Sequence, residues 1–490
     1  MYQLITLICA AVFAAAMVYV YKTNTKAGTW TIKIATIVFM SLGFLRFFLP
    51  DGFLNVINGA WVSQVRFEST DYLNLVLRWG YYTSYAVIPM AVFTKSRLFK
   101  NAAGYFSAVF AVLVTVFFGD FMEYFLMERT VVVSGYQLTV SEAFRYVQFI
   151  AELALAIAIP VALHINEKHV FNVKSLSEWR NFLLGIPGIL IAMMPVYAPQ
   201  AILGYDVFIP AKFSNYHLIW LAVAFVITLA MYYLFRFKSY DTRYNLCLFL
   251  TIVLFFHYNS FYLSGVTIKR LPFQLCNIAA YFYMIAVPLK LKKMMHFCFL
   301  ANVVGTLFAM LLPDFSRGNF SFANTHFIWE HTIVLLIPAL AMGLRVFPRV
   351  NLKSLKYYFV GFTAYFLFSF VVGTILNGYA DVTGQTVNYF FMFDLKMAFD
   401  YFPFLKFTEN YHLTFGRFEA YPLVVSIIYV GFSILNGLFY LLVRALYKFE
   451  DDHLDLRRSR IDLYEKITGK VSRSPKNFID KGCISDVRDN

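Results

Sequence analysis

The sequence predicts an all-α fold, a polytopic transmembrane helix bundle of about thirteen helices, on three observations. Of the 490 residues, 60% are apolar and 20% aromatic, whereas a soluble domain runs at about 45 to 50% apolar. Charged residues are only 14% of the chain and collect between long apolar runs. Those runs have the length of about 20 residues that crosses a hydrocarbon core. A soluble enzyme, a disordered chain and a secreted disulfide scaffold are excluded.

In chain order the candidate spans are 3–20, 31–49, 73–93, 102–119, 143–163, 181–197, 215–235, 244–264, 271–289, 294–312, 325–344, 357–377 and 423–443. The first reads as a true span, because its apolar core is longer than that of a signal peptide and no basic residue precedes it. Basic residues accumulate in short cytoplasmic loops. Here they follow the odd-numbered spans, from Lys22, Lys26 and Lys33 after the first to Arg345, Arg349, Lys353 and Lys356 after the eleventh, and 30 of the 42 fall on one side. The N-terminus is therefore expected outside and the C-terminus in the cytoplasm. The net charge of +14 reads as this topology signal with some affinity for anionic headgroups. A nucleic-acid partner is not expected, since the charge is not clustered on one domain.

The expected organisation is an N-terminal membrane region of six to seven helices (1–236), a second membrane domain (237–446) and a cytoplasmic tail (447–490). A faint echo runs through it. Tyr85 to Pro89 in the third span matches Tyr283 to Pro288 in the ninth, and Glu152 stands eight residues before Pro160 as Glu330 stands eight before Pro338. Six spans separate each pair, which is consistent with a degenerate six-helix duplication.

Ionisable groups at membrane depth are costly and flag function. Arg46 and Arg78 lie near the ends of their spans, where they could snorkel, and His257 and Tyr258 read as satisfied core groups. The stretch from Lys269 to His331 carries more. The ninth span begins near Leu271 with Pro272, favoured in a first turn, and places Cys276 roughly 8 Å in at 1.5 Å per residue. The eleventh begins near Thr325, with His331 six residues along. Both run inward, so thiol and imidazole reach similar depth below one face, where Asp314 joins them. A helix N-terminus, the nearby Lys269 and Arg270 and a neutral imidazole each favour thiolate, so Cys276 and His331 suit acyl transfer. Cys9, Cys247 and Cys298 lie in or at the edge of apolar runs, and the five cysteines form no CxxC pair or zinc spacing.

At these residues the chain resembles the YwaF family of bacterial membrane proteins, related to transmembrane protein 164 of animals. The likeness covers roughly 240–445 and rests on the LP-x-x-LC segment (Leu271, Pro272, Cys276), on Gly305 with Pro313 and Asp314, on His331, and on Asn377 with Asn388 and Tyr389. It implies a lipid acyltransferase of the cell membrane, with Cys276 as nucleophile carrying a transient thioester and His331 as general base. Asn277, Asp314 and Asn377 are candidate supports, membrane lipids the expected substrates.

The outer loop 378–421 has 14 aromatics among 44 residues, including Phe390, Phe391, Phe393, Phe402, Phe404 and Phe407, with Asp394, Lys396, Asp400 and Lys406 between them. It suits either a lid over a lipid or an interfacial cap. The tail from Lys448, with 10 basic and 9 acidic residues, is expected to be partly helical or disordered. No cofactor motif or metal cluster stands out. The rival reading is a transporter or flippase without covalent chemistry, for which many helices and parallel repeats are equally natural. An envelope-polymer ligase or polymerase is disfavoured by the few basic residues of the outer loops.

Overall fold

A computed structural model of the chain describes residues 1–49, 52–54, 56–57, 67–119, 130–133, 136–167, 176–204, 208–313, 315, 317–393, 395, 399–400, 402–415 and 418–469. Its main helices are α1 (Tyr2–Thr23), α2 (Thr25–Arg46), α3 (Ser69–Tyr82), α4 (Ser84–Phe93), α5 (Arg97–Val116), α6 (Glu142–Glu167), α7 (Leu176–Ala192), α8 (Asn215–Phe235), α9 (Tyr240–Asn259), α10 (Leu275–Ala286), α11 (Lys292–Leu311), α12 (Phe322–Gly343), α13 (Leu352–Gly378) and α14 (Pro422–Thr468). Among the described residues, ten helices are long and apolar enough to cross a membrane. The other three expected spans are the broken pair α3 and α4, the shorter α7, and α10. Two antiparallel hairpins, Thr130–Val133 with Tyr136–Thr139 and Leu413–Phe415 with Phe418–Ala420, are the only paired strands among the described residues. Helices dominate because hydrocarbon offers no partner for a free N–H or C=O, and a helix satisfies its own.

The chain forms two compact units, one of residues 1–210, 252–266 and 315–329, the other of 211–251, 267–314 and 330–490. In the first, α1 lies along α2 and α6, and α6 also packs against α5. Its centre is polar. Glu152 of α6 accepts from Tyr81 Oη at 2.9 Å, from Tyr85 Oη, and from Gln148 Nε2 at 2.8 Å. Arg46 completes the group, its Nε 3.0 Å from Tyr85 Oη and 3.4 Å from the Glu152 carboxylate. Arg46 is only 5% exposed and Arg78 2%, so neither snorkels to the surface. Each meets side chains from other helices, Arg78 lying over the Phe53 ring at 4.5 Å. Gly43 makes this possible, since a Cβ there would stand 2.2 Å from the Tyr85 ring. His257 is buried but only half satisfied, because among the described residues its Nδ1 has no hydrogen-bond partner. Its Nε2 meets the Ala192 carbonyl at 2.9 Å, at the end of α7, and its ring stacks on Trp329.

In the second unit α11 packs against α10, α13 and α14. Gly361 lets α13 approach α11 closely, because a Cβ there would be 2.6 Å from the Phe297 ring. α10 and α12 end alike. After each, a cation, Lys290 (φ 52) or Arg345 (φ 55), takes the left-handed position. The next residue bonds back five positions, Leu291 to Ala286 and Val346 to Ala341, which closes a Schellman motif. A cation in place of the usual glycine accepts backbone strain but suits the negative end of the helix dipole. α13 is capped by Asn351 in a capping box with Ser354, whose hydroxyl also meets His296 Nδ1 at 2.9 Å. α14 continues through the expected tail to Thr468.

Candidate functional site

Cys276 is the second residue of α10, which starts at Leu275 and not near Leu271. The cause is Pro272. A residue before proline is pushed out of the helical region, and Leu271 is extended at φ −60, ψ 144. The chain makes a short 3-10 turn at Ile268–Arg270, reorients, and enters the helix with Gln274 as N-cap. The thiol therefore sits in the first helical turn, where backbone N–H groups and the dipole favour negative charge. It is partly exposed, whereas Cys247 and Cys298 are buried.

One bond sets α10 against α12. Pro338 lies inside α12 and has no N–H to give to the carbonyl four residues earlier. That carbonyl, of Val334, instead accepts from Tyr283 Oη at 3.1 Å, and Asn302 Nδ2 of α11 donates to the same hydroxyl at 3.2 Å. Cys276 lies two turns before Tyr283, roughly 10 Å along α10, while Glu330 and His331 lie about 6 and 4.5 Å before Val334. This brings the buried Glu330 carboxyl within electrostatic reach of the thiol. Tyr283 and Tyr365 are within the same reach.

The thiol's hydrogen bond goes to Asn277 Oδ1 at 3.1 Å and not to His331. His331 is buried on α12, 3% exposed, directly after Glu330. α12 starts at Phe322, three residues earlier than expected, so His331 stands deeper along its helix than Cys276 along α10. Asp314 lies outside the described residues. Asn377, near the end of α13, is a structural clamp. Its side chain accepts from Val387 N at 2.8 Å and donates to Val387 O at 3.0 Å. From there the chain folds back to α10, where Gln274 Nε2 donates to Asn388 O at 2.9 Å, and Asn388 Oδ1 accepts from Phe393 N at 3.0 Å. The first part of the aromatic loop is thus tied to the helix end that carries the thiol. Phe390 packs among Phe362, Phe366 and Phe432, while Phe404 and Phe407 are exposed, 69% and 60%. Asp394 and Lys396 lie outside the described residues. Among the described residues, no group of three or more His, Cys, Asp and Glu side chains is placed to hold a metal ion.

The helix-start cysteine, the buried acid and histidine and the asparagine clamp all fall in one stretch. Residues 212–434 match the TMEM164 family model. The match begins one residue after the second unit begins at Ala211, and it covers just under half of the chain. With ten apolar helices beside it, it supports a multi-pass membrane protein related to TMEM164 over this segment. No curated protein and no solved structure matches the chain. Within the TMEM164-like segment, sequence reasoning singled out Cys276, Asn277, His331 and Asn377 but passed over Glu330, Tyr283, Tyr365 and Gln274 as site residues. A carboxylate in an apolar helix was signal enough for Glu330. The proline four residues after Val334 was the signal for Tyr283.

Proposed function

We propose that the protein is an integral membrane acyltransferase, of the kind the YwaF resemblance implies, that moves an acyl chain between lipids through a thioester on Cys276. The carrying observation is the partly exposed thiol in the first turn of α10, held by Asn277 Oδ1 and faced by the buried Glu330. In the first step a base takes the thiol proton, the sulfur attacks the ester carbonyl of a donor lipid, and the lipid alkoxide leaves with a proton. In the second, a hydroxyl of the acceptor lipid attacks the thioester, its proton goes to the base, and the thiol is restored. His331 is the base in this scheme, reached by rotation of the thiol away from Asn277, and Glu330 is a second proton carrier beside it. Asn277 can only hold the thiol, since its amide takes no proton at neutral pH. The clamp from Asn377 through Gln274 positions the aromatic loop over the helix start. By the charge count this end faces outward across the cell membrane.

The test is acyl labelling of the full chain in native membranes with an alkynyl lipid donor. Label should form on the wild type, be lost in Cys276→Ala, and survive in Cys247→Ala and Cys298→Ala, because only a nucleophile carries the covalent step. His331→Ala should slow labelling more at neutral than at alkaline pH, where hydroxide generates thiolate unaided. Full turnover by Cys276→Ala would end the thioester mechanism in favour of a transporter or flippase, for which the buried Arg46 and Glu152 pair would be the natural starting point.

A further inference from the structure

The second unit carries a groove of about 770 Å³ between α10, α11 and α13, walled by Ile278, Phe282, Phe297, Val360 and Phe368 and bordered by Tyr365. A site for a small ligand is of this size, about 300 to 1,000 Å³. Lys293 and Lys356 line it as well. Lys293 is the second residue of α11 and Lys356 the fifth of α13, so both ammonium groups lie at the helix starts, at one end of the groove. Both side chains are exposed. No carboxylate lines the groove, and among the described residues neither lysine forms an ion pair.

An apolar trough ending in two uncompensated cations is complementary to one kind of molecule in a membrane. From Lys356 to Phe368 the groove follows α13 for roughly 18 Å at 1.5 Å per residue, close to the 15 Å or so of hydrocarbon in one leaflet. We propose that the groove binds one anionic glycerophospholipid, its phosphate between Lys293 and Lys356 and one acyl chain lying along α13 as far as Tyr365. Gly361 sets the depth of the trough, because the close approach of α13 to Phe297 forms its floor. Binding here involves no covalent step and does not depend on acyl transfer at Cys276.

Native mass spectrometry of the detergent-purified full chain tests this with phosphatidylglycerol and phosphatidylcholine of identical acyl chains. Phosphatidylglycerol should be retained about 30-fold more tightly, the contribution expected of two lysines beside an anionic headgroup. The double variant Lys293→Gln and Lys356→Gln should lose this preference while still folding, since both side chains are exposed. Ala364→Phe, which fills the trough from an exposed position, should weaken retention of both lipids. Cys276→Ser should bind phosphatidylglycerol as the wild type does, whatever becomes of acyl transfer. Equal retention of the two lipids by the wild type would mark an ordinary annular contact and overturn the proposal. So would a preference that survives loss of both lysines, or Ala364→Phe binding unchanged.

Discussion

Replacing Glu152 by leucine should be among the most damaging single changes in the first unit. The substitution is close in volume, so the effect is electrostatic and not a cavity. It removes the acceptor of Tyr81, Tyr85 and Gln148 and the counter-ion of Arg46. Part of the loss is cushioned. Gln148 keeps the Leu42 carbonyl at 3.0 Å, and the Tyr85 hydroxyl keeps Arg46 Nε. What remains is a buried guanidinium that has lost Glu152, together with two hydroxyls, of Tyr81 and Tyr85, whose protons have lost their acceptor, and breaking a buried pair from one side costs about 3 to 5 kcal/mol. Removing Arg46 as well should recover much of it, because the buried charge that lost Glu152 goes with it. Arg46→Met with Glu152→Leu is therefore expected to be more stable than Glu152→Leu by about 1 to 3 kcal/mol. Equilibrium unfolding of the purified chain in mixed micelles of graded denaturing detergent, followed by helical circular dichroism, measures both. Wild-type stability in Glu152→Leu, or a double variant no better than the single one, would refute the reasoning.

Gly43→Ala should cost about 1 to 3 kcal/mol by the same assay through overpacking against the Tyr85 ring, and a neutral result would show that the ring moves freely. Tyr283→Phe should cost about 1 to 2 kcal/mol, since it orphans the Val334 carbonyl and one donor of Asn302. The same variant should change the rate at which Cys276 reacts with maleimide, as α10 and α12 lose their common reference, and an unchanged rate would separate the thiol's setting from that bond. Asn377→Ala should speed proteolysis within 387–393 several-fold without moving global stability by more than about 2 kcal/mol, and equal cleavage rates would remove its role as a clamp. Arg349→Gln should release the segment after Tyr447, because Arg349 pairs with Glu450 and, at 2.5 Å, with Asp451. Faster hydrogen exchange confined to 447–468 is the expected readout, and no change there would show the pairs to be incidental.

The spans were legible because each is a local property. An apolar run of membrane length declares itself, and among the described residues ten of the thirteen expected runs are helices long enough to cross, while 73–93 is broken in two and α7 and α10 are shorter. α10 starts four residues later than its apolar run suggests, because Pro272, which suits a first turn, also pushes Leu271 out of helix. Partnerships across the chain were not legible. Arg46 and Glu152 are 106 positions apart, and nothing near either residue announces the other, so Arg46 looked like a snorkelling side chain. At the candidate site the types of residue were readable and their contacts were not. Asn377 stands out by its type and place, but its two bonds to Val387 depend on how the loop folds. The two tyrosines of the internal echo make different bonds, one to a carboxylate and one to a backbone carbonyl. Tyr85 of α4 reaches across to α6 at Glu152, and Tyr283 of α10 reaches across to α12 at Val334.

α14 has a mechanical consequence. Its 47 residues make a continuous rod of roughly 70 Å, of which some 30 Å suffices to cross hydrocarbon. Near its middle it is gripped by Arg345 and Arg349, through Glu450 and Asp451, and by the Tyr232 hydroxyl on Glu450. A rod held at such a point works as a lever with that collar as fulcrum. A sideways force at Thr468 would be delivered, with little loss to bending, to the other arm, where Phe432 and Tyr429 pack against Phe362 and where Phe390 of the clamped loop rests on Phe432.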